Sequence, residues 1–549
     1  MTALYSGSLV PFAVLLWPLL VGLAPIVPRW RQNALRLLPL APLPALVFAL
    51  AGAPGAVVLP DLMLGVELAG VPDAALFLGM TALVWTIAGW YAALSMTRGT
   101  EAGIFAGFWC LTLAGNLGVF LAADVITFYL AFAAVSLAAW FLVVHDRTDA
   151  ALRAGRVYIV LAVLGEAALL SGLMIGAAEA SDLQIATVRD AFAEAPLGQL
   201  GVALLIAGFG IKAGMVPLHV WLPLAHPAAP VAGSAVLSGA IVKAGLIGMV
   251  LFVPEGTAWG TVLMVLGLVG AFGAALWGLT QRNPKAVLAY STVSQMGLLL
   301  ALLGAGSEGV AYFALHHGLA KAALFLCVGV MVLSASTYQR RVVLGLAAVL
   351  GLSVAGLPLT GGALAKLAAK EGIGDIFALA VTMSSVTTTL VLGWFLICLA
   401  GVGTKTSAAP AWQSLFAGVV VLAASALTVP WVLWSGVVAL PPDYPLRPAN
   451  LLDGVWPVLV GLALLVLIRR AKVAEHPPGD LLLLTKGWAL RAPGHSLLAW
   501  RGRRNRHRIL LRLLLRVKHG ERWLLHWPVA GSALMGVALV LAVLVGLSR

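Results

Sequence analysis

The sequence predicts an all-α polytopic membrane protein with about 14–16 transmembrane helices, two inverted repeats, and interruptions in the seventh and twelfth helices. Three observations predict it. Of 549 residues, 61% are hydrophobic and only 10% charged, against roughly 25% charged in a soluble domain. Apolar stretches of roughly 20 residues, the length that crosses a bilayer, recur along the whole chain. The loops between them alternate in charge sign.

Taken in order, the first stretch, Ser8 to Val27, is too long for the apolar core of a signal peptide and lacks a small-residue cleavage site, so it reads as span 1. Arg29, Arg31 and Arg36 follow it. Arg147, Arg153 and Arg156 follow span 5, Arg282 and Lys285 span 9, Arg340 and Arg341 span 11, and Arg469, Arg470 and Lys472 span 15. Acidic loops follow even spans: Asp61, Glu67 and Asp73 after span 2, and Glu179, Asp182, Asp190 and Glu194 after span 6. The positive-inside rule then makes the odd loops cytoplasmic and puts the N terminus outside. With sixteen spans the C terminus is outside as well.

Spans 7 and 12 carry helix breakers. Gly210, Gly214, Pro217 and Pro223 interrupt the first, and Gly356, Pro358, Gly361 and Gly362 the second. Corresponding broken helices mark inverted-repeat transporters, and an odd offset of five spans gives the opposite orientation such a repeat requires. Irregular backbone at that depth survives only where protein or a cavity satisfies it.

The tail is strongly basic. Residues 471–526 carry 12 Lys/Arg against 3 Asp/Glu, out of a chain total of +13. Ile509, Leu510, Leu513, Leu514 and Val517 share one helical face with arginines opposite, which reads as a basic amphipathic helix on the cytoplasmic surface, anchored to lipid or bracing a neighbouring subunit. Basic residues flanked by spans do not suit nucleic acid. The stretch from Trp527 to Leu547 is the closing span. Cys110, Cys327 and Cys398 all lie in apolar spans without pairing or metal spacing. No haem, iron–sulfur or nucleotide motif is present, so no cofactor or metal is expected on this chain.

The informative residues are ionisable groups at bilayer depth, which cost several kcal/mol each, on the order of 2.5–3.5 by insertion scales, and mark ion paths. Asp124 opens span 5 and Glu166 is embedded in span 6. Lys212 is in span 7 and Lys243 in span 8. His316, His317 and Lys321 are in span 11, and Lys366 in span 12, followed by Lys370 and Glu371. His317 and Lys321 are four apart and share a helix face. Desolvation favours the neutral amine and a nearby carboxylate favours the ammonium, so moving an acid loads or unloads a lysine. Plainer roles exist for each: Lys212 and Lys366 satisfying free carbonyls at the breaks, Lys243 pairing structurally with Glu166, the histidines packing, Asp124 capping a helix, and Lys370 and Glu371 lying at the surface.

The stretches GFGIKAGMVPLHVWLPLAHPAAPVAGSAVLSGAIVK, QRNPKAVLAYSTVSQMG, HHGLAKAALFL and GLPLTGGALAK occur in the order of one family. They resemble the antiporter-like subunits of respiratory complex I, membrane-bound hydrogenases and Mrp-type cation/proton antiporters, over residues 75 to 400. The resemblance implies two inverted five-helix repeats forming a module of fourteen spans, with two further spans and a lateral helix in the most distal complex I type. It divides the chain into N-terminal helices (1–100), a first half-channel (101–255), a second (256–402), C-terminal helices (403–470), the lateral segment (471–526) and the last span (527–549). It implies a proton relay through Lys212, Lys243, His317, Lys321 and Lys366. Two positions depart from the family. The glutamate of a stretch like WELMSLASY falls on Ala133, in FAAVSLAAW, and the aspartate after WLP is Leu224. Glu166, one span later, is the candidate substitute for the missing acid.

The reading is a proton-translocating subunit of a respiratory or hydrogenase-type complex in a bacterial inner membrane. It is expected to lack a redox centre and to partner other membrane subunits and soluble redox subunits. Its alternatives are a component of a multisubunit Na+/H+ antiporter, with sodium in place of or beside protons, a structural subunit silenced by loss of the span 5 acid, and a module coupled to solute uptake.

Overall fold

The computed structural model describes residues 6–31, 33–60, 62, 65–69, 72–96, 100–403, 412–471 and 474–479. Hydrocarbon offers no partner for backbone N–H and C=O groups, so helix dominates. The N-terminal helices are α1 (Val10–Ile26), α2 (Ala34–Leu50), α3 (Pro72–Ser95) and α4 (Thr100–Leu121). Next come α5 (Val125–Val143), α6 (Asp149–Glu179), α7 (Gly198–Ala213), α8 (Trp221–Ala228) and α9 (Val231–Phe252). They are followed by α10 (Ala258–Gly278), α11 (Pro284–Gly304), α12 (Val310–Val332), α13 (Thr337–Ala355), α14 (Gly361–Lys370) and α15 (Asp375–Ala400). The last are α16 (Trp412–Val437) and α17 (Pro448–Arg470). Among the described residues, 12 helices are long and apolar enough to cross a membrane, and α1, α2 and α7 are shorter apolar helices. The lateral helix expected within 471–526 and the closing span lie outside the described residues.

The expectation of an all-helical chain misses a small antiparallel sheet of order β1 (Ser6–Gly7), β2 (Ala56–Leu59), β3 (Val66–Ala69). Its register pairs Ser6 with Val58 and Val57 with Leu68. β3 continues into the bundle: the Glu67 amide donates to Asp124 Oδ2 at 2.8 Å, Ala123 N donates to the Glu67 carbonyl at 3.0 Å, and the Gln184 amide donates to the Glu67 carboxylate. The N terminus, the α2–α3 connection, the start of α5 and the α6–α7 loop therefore meet on one face.

Loop parity is consistent throughout. Those four segments all fall at even-numbered loops. Odd-numbered loops contact one another instead: Gln281 donates to the His476 carbonyl at 3.0 Å, and Arg340 donates to the carbonyls of Ala400 and Val402 at 2.9 and 2.8 Å. The alternation read from charge sign is thus reproduced by contacts that know nothing of a membrane.

The centre is built on α11 and α12, each 94% buried, while α17 at 17% is peripheral. Without a hydrophobic drive between helices, close approach relies on small residues. A Cβ on Gly297 would fall 2.7 Å from both the Gly267 carbonyl and Ala271 N, and one on Gly304 would fall 2.3 Å from the Gly260 carbonyl. α10 and α11 therefore touch backbone to backbone.

Both expected helix breaks are present and share one geometry. α7 ends at left-handed Gly214 (φ 74°) and α13 at left-handed Gly356 (φ 93°). Met215 N closes on the Gly210 carbonyl at 2.8 Å, and Leu357 N on the Leu352 carbonyl at 3.0 Å, the six-to-one bond of a Schellman end. Pro217, after a cis bond, and Pro358 then forbid continuation, and Pro223 sits within α8. A third irregularity was not legible: a π-turn at Leu237–Ile241 inside α9, just before Lys243.

Gly297→Ala should cost about 1–3 kcal/mol by overpacking and lower the thermal unfolding midpoint in detergent. Gly273→Ala, with nothing within 4 Å of its Cβ, should leave the midpoint unchanged or raise it.

Candidate functional site

Lys212 sits in the last turn of α7, 4% exposed. Its ammonium donates to Tyr158 Oη at 3.3 Å, and that hydroxyl donates to the Ser136 carbonyl at 2.8 Å. The Phe132 and Tyr158 rings lie 5.9 and 5.6 Å from the nitrogen, within cation–π range. Glu166, on α6, lines the same pocket with Phe132, Ser136, Tyr158 and Trp221. Its carboxylate has no ion pair within 4 Å and no hydrogen bond among the described residues. Ser136 and Lys212 are its polar and charged neighbours. Ala133 is not among the residues lining this pocket; its neighbours on α5, Phe132 and Ser136, are.

The second cluster lies at the α9–α11–α12 junction. Lys243 is fully buried and donates to the Ser238 carbonyl in the π-turn at 2.6 Å. Ser238 Oγ is 2.8 Å from Thr292 Oγ1, which donates to the Leu288 carbonyl at 2.9 Å; Lys321 donates to the same carbonyl at 2.8 Å. His317 has Lys243, Lys321 and His316 as charged or titratable neighbours. Its two ring nitrogens have no hydrogen-bond partner among the described residues. Lys243 is therefore not the partner of Glu166: it faces α12, whereas Glu166 faces Lys212.

The third cluster surrounds the second break. His316 Nε2 is 2.9 Å from Ser353 Oγ, which also accepts from Gly362 N at 3.3 Å. Lys366, 5% exposed, donates to Ser385 Oγ at 2.7 Å and Ser384 Oγ at 3.2 Å. Gly356 is needed twice here, for its positive φ and because a Cβ would meet Lys366 Cδ at 2.9 Å.

Asp124 stands apart from these clusters. Both its oxygens are used, one capping α5 through Thr127 N at 2.8 Å and the other holding β3. Reading for buried charge missed three residues. His226, fully buried and stacked on Phe325 with centroids 4.4 Å apart, has Lys285 and Lys321 as its charged neighbours. Lys285, expected as a loop charge, is 9% exposed and donates to the Ala229 carbonyl at 2.5 Å. Asp453 on α17 pairs with Lys370 at 2.5 Å. The signal for His226 was its place between two prolines, Pro223 and Pro227; only tertiary contacts reveal the other two.

Among the described residues, five lysines and four histidines are buried against two acids, and one of those acids is the cap Asp124. Desolvation and mutual repulsion forbid the whole row from being charged at once. A row that is neutral in part can both take up and give up protons, and imidazole both accepts and donates hydrogen bonds. The arrangement suits proton hand-off. No group of three or more His, Cys, Asp or Glu able to hold a metal occurs among the described residues.

Known proteins resemble this chain over the stretch that holds these clusters. The family described as NADH:quinone oxidoreductase/Mrp antiporter, TM matches residues 122–393. Hydrogenase-4 component B of Escherichia coli is 30% identical over 264 residues, 44% of this chain and 39% of that protein, so the chain spans about two fifths of that relative. A Na(+)/H(+) antiporter subunit of Bacillus subtilis is 27% identical over 333 residues, 56% of this chain and 67% of that protein. The Mrp complex from a Dietzia species superposes with a TM-score of 0.71 over 93% of this chain and 62% of the matched chain, at 21% identity, which shows a shared fold. Residues 122–393 hold both helix breaks and every lysine and histidine of the buried row, and it is this stretch of the chain that matches the NADH:quinone oxidoreductase/Mrp antiporter transmembrane family.

Proposed function

We propose that this chain is a proton-translocating, antiporter-like membrane subunit of a multisubunit respiratory or hydrogenase-type complex, with no redox centre of its own. The observation that carries the reading is the clustering of Lys243, His317 and Lys321 as charged or titratable neighbours at the core, with Lys212 and Lys366 at matched helix breaks on either side. In this reading residues 101–255 form one half-channel and 256–402 its inverted counterpart. Helices 1–100 and 403–470 flank them, and segments 471–526 and 527–549 carry the link to a neighbouring subunit. Glu166 sets the charge of Lys212 in place of the absent acid at Ala133. His317 hands a proton between Lys243 and Lys321, and His316 passes it toward Lys366. His226 and Lys285 connect Lys321 to the odd-loop face, which the positive-inside rule makes cytoplasmic in a bacterial inner membrane, with the N terminus outside. Partner subunits, membrane-embedded and in the redox case soluble as well, supply the energy.

A multisubunit Na+/H+ antiporter component is the second reading. The Bacillus subtilis antiporter protein matches over the longer stretch, 333 residues against 264 for the hydrogenase component. Co-purification from native membranes separates the two: redox subunits favour the first, and small membrane subunits with sodium-dependent transport in the absence of an electron donor favour the second.

Two variants test the relay. In vesicles containing the whole complex, Lys321→Ala should lower driven proton uptake by at least about tenfold, below the usual contribution of a positioned proton carrier, with assembly intact by co-purification. A purely structural subunit would leave uptake unchanged. Glu166→Gln should lower uptake similarly, and adding Ala133→Glu in that background should restore part of it. Normal uptake in Glu166→Gln would remove Glu166 from the relay.

A further inference from the structure

The pocket around Lys366 leads away from the buried row. Its lining runs from Lys366 and Ser385 past Gly356 and Pro358 to Lys370 and Asp453. Asp453 belongs to α17, beyond the family match. At the mouth, Lys370 donates to Asp453 Oδ2 at 2.5 Å, with the two side chains 20% and 42% exposed, so the pair stands between a buried lysine and open surface. The start of α17 is wedged against the second break: a Cβ on Gly454 would meet Pro358 Cγ at 2.9 Å and the Gly356 carbonyl at 3.3 Å. Asn450 Nδ2 donates to the Tyr444 carbonyl at 2.7 Å and ties this start to the preceding turn. Lys370 and Asp453 both flank even-numbered loops, on the face opposite Lys285.

We propose that the Lys370–Asp453 pair gates access to Lys366 from the outer face, and that Asp453 is the residue exchanging protons there. The Lys366 ammonium gives one proton across the pocket to the Asp453 carboxylate, leaving a neutral amine and a carboxylic acid. The acid has lost its charge, so its hold on Lys370 weakens and the mouth opens. It then releases the proton to outer water and the carboxylate recaptures Lys370. The hand-off rests on the translocation reading above; the access route does not.

The test uses Lys366→Cys in a full-length chain whose Cys110, Cys327 and Cys398 are replaced by serine, within the assembled complex. A membrane-impermeant maleimide is added to vesicles of each orientation. Labelling is expected from the outer face only. Asp453→Ala should raise its rate by about fivefold, the factor by which a partly exposed ion pair can hold a pocket shut, and Asp453→Glu should keep it near the starting rate. Labelling from the inner face, no labelling from either face, or a rate indifferent to Asp453→Ala would overturn the gate. Proton uptake by Asp453→Asn in the otherwise native chain is measured in parallel, and uptake equal to the native rate would overturn the hand-off. If the native complex itself moves no protons, the translocation reading fails while the labelling result still decides the gate.

Discussion

A buried ammonium must find oxygen acceptors where water is absent, and the rest of this molecule is arranged around that requirement. Regular helices offer few, since each carbonyl already serves the next turn. The lysines find theirs where the backbone departs from regularity or where hydroxyls are supplied. Lys243 uses the Ser238 carbonyl in a π-turn, and Lys285 the Ala229 carbonyl just past the end of α8. Lys366 uses two serine hydroxyls and Lys212 a tyrosine hydroxyl. Only Lys321 leans on a carbonyl inside a regular helix, one already shared with Thr292. The two lysines beside the helix breaks therefore rest on hydroxyls rather than on carbonyls that the breaks set free.

The scarcity of acid is the second feature that shapes the site. With Asp124 committed to a helix cap, Glu166 is the buried carboxylate left to bear on the row. Its neighbour is Lys212, one helix from where the family places an acid, and the Tyr158 hydroxyl bonds the same ammonium. Glu166 lines the Lys212 pocket from α6, whereas Ala133 on α5 does not line it. That makes α6 the element through which a neighbour could influence Lys212.

Much of this was legible in the chain itself. Apolar length gave the spans, and loop charge gave their parity, because lipid and membrane potential act on composition directly. Gly214–Pro217 and Gly356–Pro358 gave the breaks, because positive φ and a missing N–H are local properties. The lysines stood out because nothing local explains them. What stayed hidden depends on tertiary pairing. The β-sheet rests on strands of two to four residues, too short for a period to register. Lys285 and Asp453 look like surface charges until packing buries the first and pairs the second. The π-turn has no composition of its own.

That π-turn reaches further than its five residues suggest. It fits one residue more into a turn than an α-helix does, and one residue in a helix is a rotation of about 100°. Everything in α9 after Ile241 is turned by that angle relative to an unbroken helix, including Lys243 and Gly245, whose missing Cβ lets α9 lie against the Phe209 carbonyl of α7. A single inserted position thus works as an indexing notch. It decides whether the side chain at 243 lies beside His317 and Lys321 of α12 or is turned away from them. A one-codon deletion there would leave hydropathy and span length nearly intact while turning Lys243 away from α12, damage that a topology map would not detect.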